Sequence, residues 1–109
     1  MARVTAALAV SLLLAGAARA QQDDLGQDVY NGRCAACHGR DAKGKTPIGV
    51  KLKAKDLTDA VTWKGLTDAA IEKLIDEGTP DKAMPAYQGK LSADERAAVV
   101  KYLRVFQPK

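Results

Sequence analysis

Histidine is almost missing from this chain: one in 109 residues, alongside two cysteines, two methionines, one tryptophan and one phenylalanine. A single imidazole excludes any relay between histidines, and a four-coordinate zinc site would have to recruit carboxylates. No segment alternates apolar and polar residues like a strand, so a thioredoxin-type dithiol lacks its βαβ context. Aromatic residues make up 5% of the chain and are not interleaved with its basic run, which leaves single-stranded nucleic acid no stacking platform. No apolar run reaches the ~20 residues that a membrane-spanning helix needs. No acid–base pair stands out either.

Both cysteines and the only histidine fall in Cys34-Ala35-Ala36-Cys37-His38. On a helix turning ~100° per residue, Cys37 lies ~60° to one side of Cys34 and His38 ~40° to the other. Two thiols and an imidazole therefore share one narrow stripe. A flat macrocycle against that stripe takes a thioether from each sulfur and an iron bond from the imidazole. The C-x-x-C-H spacing is the attachment signature of c-type haem. A plain disulfide would leave the adjacent histidine without a role.

The N-terminus reads as an export signal. Met1-Ala2-Arg3 supplies a short positive start, Val4 to Ala17 is almost wholly apolar, and Ala18-Arg19-Ala20 places small residues where a signal peptidase reads. Residues 1–20 are expected to be a signal peptide and residues 21–109 a single domain, so that 109 less 20 leaves 89 residues. At that size a hydrophobic core alone is marginal and a staple is usual. Arg3 and Arg19 leave with the signal, so 15 basic residues face 13 acidic ones, a net +2. Export points to the periplasm, with a thylakoid lumen as the other compartment, and to no stable membrane insertion after cleavage.

Three helices are expected in the mature chain. The first runs from an N-cap at Asp24, with Gln27 three residues on, to about Cys37, and carries Gly26, Tyr30 and Cys34 on one face. From Gly39 to Leu66 the periodicity vanishes into a basic, glycine-punctuated loop. Asp56 to Asp59 opens at most a short turn there, and Ile48, Leu52, Leu57 and Val61 are the expected apolar contacts. The second helix begins at an N-cap, Thr67, buries Ile71, Leu74 and Ile75, and stops at Gly78. Asp76 and Glu77 oppose the dipole at its end. The last helix opens on a Ser92–Glu95 capping box and runs to about Phe106, with Val99, Tyr102, Leu103 and Phe106 at spacings of three, four and seven.

Met84 is the only methionine left after the signal. It sits in a loop ahead of Pro85, which holds the preceding residue extended, and a thioether is a soft ligand that raises the potential of histidine-ligated iron relative to bis-histidine ligation. With Gly26-x-x-x-Tyr30-x-x-x-Cys34, the C-x-x-C-H-Gly run, Met84-Pro85-Ala86-Tyr87 and the closing helix with Tyr102-Leu103, the whole mature chain resembles the class I c-type cytochromes. That resemblance implies an all-α cytochrome c fold, with three principal helices and a long loop wrapped around one covalently attached haem c. It implies thioethers at Cys34 and Cys37 and axial ligation of the iron by His38 and Met84. It also implies that the first and last helices cross, where Gly26 admits Tyr102, and that the Pro47 carbonyl orients the proximal imidazole.

Trp63 has two readings, an indole N–H donated to a haem propionate or one facing water. Tyr87 is read as packing on the haem edge. The basic run from Arg40 to Lys55 is either a solvated loop or a rim that steers acidic redox partners. The expected function is a monomeric, exported single-electron carrier between redox partner proteins, and not an enzyme. The alternatives are a haem protein with a labile Met84 bond, binding small ligands or acting on peroxide, and a cytochrome subunit of a larger oxidoreductase.

Overall fold

The computed structural model describes the backbone of residues 2–109 and the side chains of residues 16–109; most side chains of the expected signal peptide fall outside that range. The described residues are helical, without strands. Helix α1 (Ala2–Val29) runs into a π-helical turn (Tyr30–Cys34) and then α2 (Ala35–His38). Helices α3 (Pro47–Leu52) and α4 (Ala60–Trp63) are short, α5 (Asp68–Glu77) and α6 (Ala93–Leu103) are longer, and a 3₁₀ turn (Arg104–Phe106) closes the fold.

The predicted start at Asp24 is not found. Residues 17–25 contain neither proline nor glycine, the preceding turn supplies carbonyl partners for the amides of residues 26–28, and α1 passes through Asp24 without a cap. The helix then widens by one residue at one place: the Ala35 amide bonds the Tyr30 carbonyl, five residues back, in the manner of a π-bulge. Tyr30 stays fully buried in the core, while Cys34 turns toward a cleft on the other side.

The middle segment also departs from expectation, since it holds two helices. Thr46 caps α3, accepting the Gly49 amide at 2.9 Å, with Pro47 at the first helical position; Asp59 caps α4, accepting the Val61 amide at 3.0 Å. Both start signals are present in the sequence, but neither helix is long enough to show a 3.6-residue period. Of the apolar contacts expected there, only Leu57 packs on the core. Ile48 is 51% and Val61 77% exposed, and Leu52 borders the cleft. Helix α3 touches α2 through Gly49, so the residues on either side of it point outward.

The core lies between α1, α5 and α6: Val29, Tyr30, Ile71, Ile75, Val99 and Leu103, with Trp63 of α4 at its edge. A Cβ on Gly26 would stand 2.4 Å from the Ala98 carbonyl oxygen and 2.9 Å from Tyr102 Cβ, so only glycine lets α1 cross α6 this closely. Tyr30, Tyr102 and Phe106 stack around that crossing with ring centroids 5.1–5.5 Å apart. Helices α5 and α6 begin as the sequence predicts. Thr67 accepts the Ala70 amide at 3.1 Å, and Ser92 and Glu95 exchange reciprocal bonds of 2.9 and 3.1 Å. Asp76 at the dipole-disfavoured end of α5 finds its reason here, because Arg96 of α6 donates to it at 3.0 Å.

Candidate functional site

Opposite the core, a cleft of about 340 Å³ opens between two walls. One wall is the π-turn and α2, which present Cys34, Cys37 and His38. The other is the segment after α5, which presents Met84, Pro85 and Tyr87. Leu52, Lys53, Ala54 and Lys55, with Arg33, Thr79 and Asp81, complete the lining. The fold thus brings together five of the seven residues singled out from sequence; Pro47 and Trp63 are not among those lining the cleft.

Each wall is built by identifiable bonds. The Tyr30 hydroxyl donates to the Gly39 carbonyl at 2.6 Å, which holds the end of α2 against the core. Thr46 spreads its hydroxyl proton over the carbonyls of Ala36 and Cys37, at 2.7 and 3.1 Å, and so docks α3 on α2. On the facing wall the Tyr87 amide bonds the Ile75 carbonyl at 2.8 Å, and the Tyr87 hydroxyl donates across to the Arg33 carbonyl at 2.9 Å. Tyr87 is therefore a strap between the walls as well as a packing surface, and burial pushes its hydroxyl above the usual phenol range.

His38 is half-buried, and its Nδ1 lies 3.0 Å from the Lys55 carbonyl oxygen. A carbonyl only accepts, so Nδ1 carries the proton and Nε2 keeps its lone pair. Burial lowers the imidazole pKa, against the opposing pull of the Lys55 carbonyl; the ring is neutral at neutral pH. The expected partner, Pro47, is displaced from this role. Pro47 occupies the first helical position of α3 and is exposed, whereas the chain after α3 folds back to aim the Lys55 carbonyl at the ring. Trp63 departs from both of its readings. Its indole donates to the Leu57 carbonyl at 2.6 Å, and the Arg104 guanidinium covers the ring at 5.1 Å.

Cys34 and Cys37 carry free thiols, and burial, then the neighbouring Cys37, push the Cys34 thiol up to about 11. A pair of thiols one turn apart, a neutral imidazole with a free Nε2, and a thioether on the facing wall form a donor set suited to covalent attachment and to a low-charge pair of iron ligands. Lys55, Thr79 and Asp81 were not legible from sequence. A backbone carbonyl leaves no side-chain signature, and threonine and aspartate are ordinary in a turn.

The chain is similar in sequence and fold to known proteins. Residues 21–103 match the family described as "Cytochrome C oxidase, cbb3-type, subunit III". The chain is 37% identical to the cbb3-type cytochrome c oxidase subunit FixPc of Rhizobium leguminosarum bv. viciae over 76% of its own length, and spans 26% of that protein. It is 37% identical to the chloroplastic cytochrome c6 of Chlamydomonas reinhardtii, covering 94% of this chain and 70% of that one. Among solved structures, the KustC0563 c-type cytochrome superposes with a TM-score of 0.69 at 34% identity, over 76% of this chain and 98% of the other. With the all-helical fold and the cleft bearing Cys34, Cys37 and His38, these matches make the chain a member of the small class I c-type cytochromes, electron-transfer proteins with covalently bound haem c.

Proposed function

We propose that this protein is an exported carrier of single electrons between redox proteins, in the periplasm after cleavage at Ala20, and not an enzyme. Its haem is held by thioethers to Cys34 and Cys37, with His38 and Met84 as axial ligands. The observation that carries the reading is the cleft itself, where the two thiols and the imidazole on one wall face a thioether on the other. When bound, the haem supplies a one-electron iron couple, and the protein's share is to set its potential and limit water. The Lys55 carbonyl fixes the His38 tautomer and raises its basicity. The match to the family begins at residue 21, in keeping with a signal ahead of it, and no helix among the described residues is long and apolar enough to cross a membrane.

The test is an absorption spectrum of the haem-loaded protein. The ferric form is expected to show the far-red charge-transfer band of methionine-ligated haem. Met84→Ala should abolish that band, lower the potential and admit carbon monoxide to the ferrous form. A parent protein that lacks the band and binds carbon monoxide readily belongs instead to the small-ligand class.

Partner choice rests on charge at the mouth. Lys53 and Lys55 line the cleft, and Lys45 and Lys51 stand exposed nearby, so acidic partners are attracted from beyond contact distance. Oxidation by anionic hexacyanoferrate is expected to slow as salt rises from ~10 to ~150 mM, where the Debye length falls from ~30 to ~8 Å. A cationic complex of similar potential should show the opposite slope. Equal slopes for the two probes would remove the steering role.

The match to FixPc favours one second reading, a cytochrome subunit of a larger oxidase. Fractionation of the native cells separates the two: a free carrier leaves with the periplasmic extract, and a subunit stays with a membrane oxidase through detergent purification.

A further inference from the structure

The backbone of Met84 is bonded on both sides to one residue. The Thr79 amide donates to the Met84 carbonyl at 3.0 Å, and the Met84 amide donates to the Thr79 hydroxyl oxygen at 3.1 Å. That hydroxyl in turn donates to Asp81 Oδ1 at 2.6 Å, and the same carboxylate oxygen accepts the Ala83 amide at 3.0 Å. The Thr79 carbonyl accepts the Lys82 amide at 2.9 Å. Residues 79–84 therefore form a ring closed by one backbone bond and by the Thr79 hydroxyl, which Asp81 holds in turn.

The ring is seated and under tension. Gly78 lies behind it, and a Cβ there would stand 2.4 Å from the Met84 carbonyl oxygen and 2.9 Å from the Ala86 nitrogen. Inside the ring Lys82 has φ +61°, a left-handed conformation that a lysine adopts only against a steric cost. Thr79 is not engaged as a helix cap, since α5 ends at Glu77 and the Gly78 amide already bonds the Leu74 carbonyl at 2.8 Å. Without the hydroxyl, the Met84 amide and Asp81 lose a shared partner, and the strain at Lys82 favours opening.

We infer that Thr79 is a positioning residue, whose hydroxyl, oriented by Asp81, locks the backbone of Met84 and sets how readily the Met84 thioether gives way to a competing ligand. The inference rests on Met84 as the axial ligand proposed above. It assigns the lability of that ligand to a side chain that never touches the iron.

The experiment titrates ferric, haem-loaded protein with imidazole and follows loss of the far-red band, well below the melting temperature. Thr79→Val keeps the shape and removes the hydroxyl; its apparent imidazole affinity should rise about tenfold, the effect of one hydrogen bond lost from the closed state. Thr79→Ser should stay within about twofold of the parent, and Asp81→Asn should fall between. Thr67→Ala, which removes the α5 cap, lowers the melting temperature and should leave the imidazole affinity unchanged. Equal affinities for Thr79→Val and the parent overturn the inference, as does an equal rise in Thr67→Ala. A parent without the band overturns Met84 ligation and the clamp's purpose together, whereas a parent with the band and an unmoved Thr79→Val overturns the clamp alone.

Discussion

A chain carrying Cys34→Ser and Cys37→Ser together should lose most of its helical circular-dichroism signal at room temperature, even when made alongside haem-attachment machinery. The cleft behind this expectation measures about 340 Å³. Left unfilled, it opens Leu52, Met84 and Tyr87 to water in a small domain whose whole stability is ~5–15 kcal/mol. Water entering beside Lys53 and Asp81 does not replace the lost contacts at Leu52, Met84 and Tyr87. The protein core on the far side, from Val29 to Leu103, is too small to hold the walls alone. A Cys37→Ser variant keeps one thioether and should lie between, with haem retained but a lower melting temperature. Cooperative unfolding and a full helical signal in the double variant would show that the haem is cargo and not core.

The haem motif, the class of fold and the two long C-terminal helices were legible in the sequence for one reason: each is encoded by side chains at fixed spacing. Cys34, Cys37 and His38 sit in one turn, Thr67 and Gly78 bracket α5, and Ser92 with Glu95 opens α6. What stayed hidden depends on backbone groups or on distance along the chain. The partner of His38 Nδ1 is a carbonyl 17 residues away, and any residue type supplies a carbonyl. The π-turn at Tyr30–Cys34 follows from holding Tyr30 in the core while Cys34 faces the cleft; no residue type marks that demand. Asp24 carries a capping signature that α1 overrides by extending past it. Trp63 offers a single donor, and the Leu57 carbonyl, six residues before it, takes that donor at 2.6 Å.

The same dependence on backbone makes Gly49→Ala the point substitution with the largest expected effect, a loss of about 3 kcal/mol with the far-red band weakened. Helix propensity alone argues the other way, since alanine gains ~1 kcal/mol over glycine inside a helix. Sterics decide the sign. An added Cβ would stand 2.1 Å from the Cys37 carbonyl oxygen, 2.7 Å from the Gly44 carbonyl oxygen and 2.9 Å from Thr46 Oγ1. Two of those three are backbone atoms in separate segments, so no rotamer change relieves the contact and α3 must move off α2. That movement breaks the bonds from Thr46 to Ala36 and Cys37, each worth ~1 kcal/mol. It also pulls on the Ala54 amide, which bonds the Gly49 carbonyl at 2.8 Å, one residue before the carbonyl that orients His38. Gly32→Ala provides the contrast, because nothing lies within 4 Å of its Cβ position; only propensity acts there, and stability should hold or rise by up to ~1 kcal/mol. Denaturant midpoints of the two haem-loaded variants measure the difference, and a Gly49→Ala midpoint at or above the parent's would mean that α3 does not rest on α2 through this glycine.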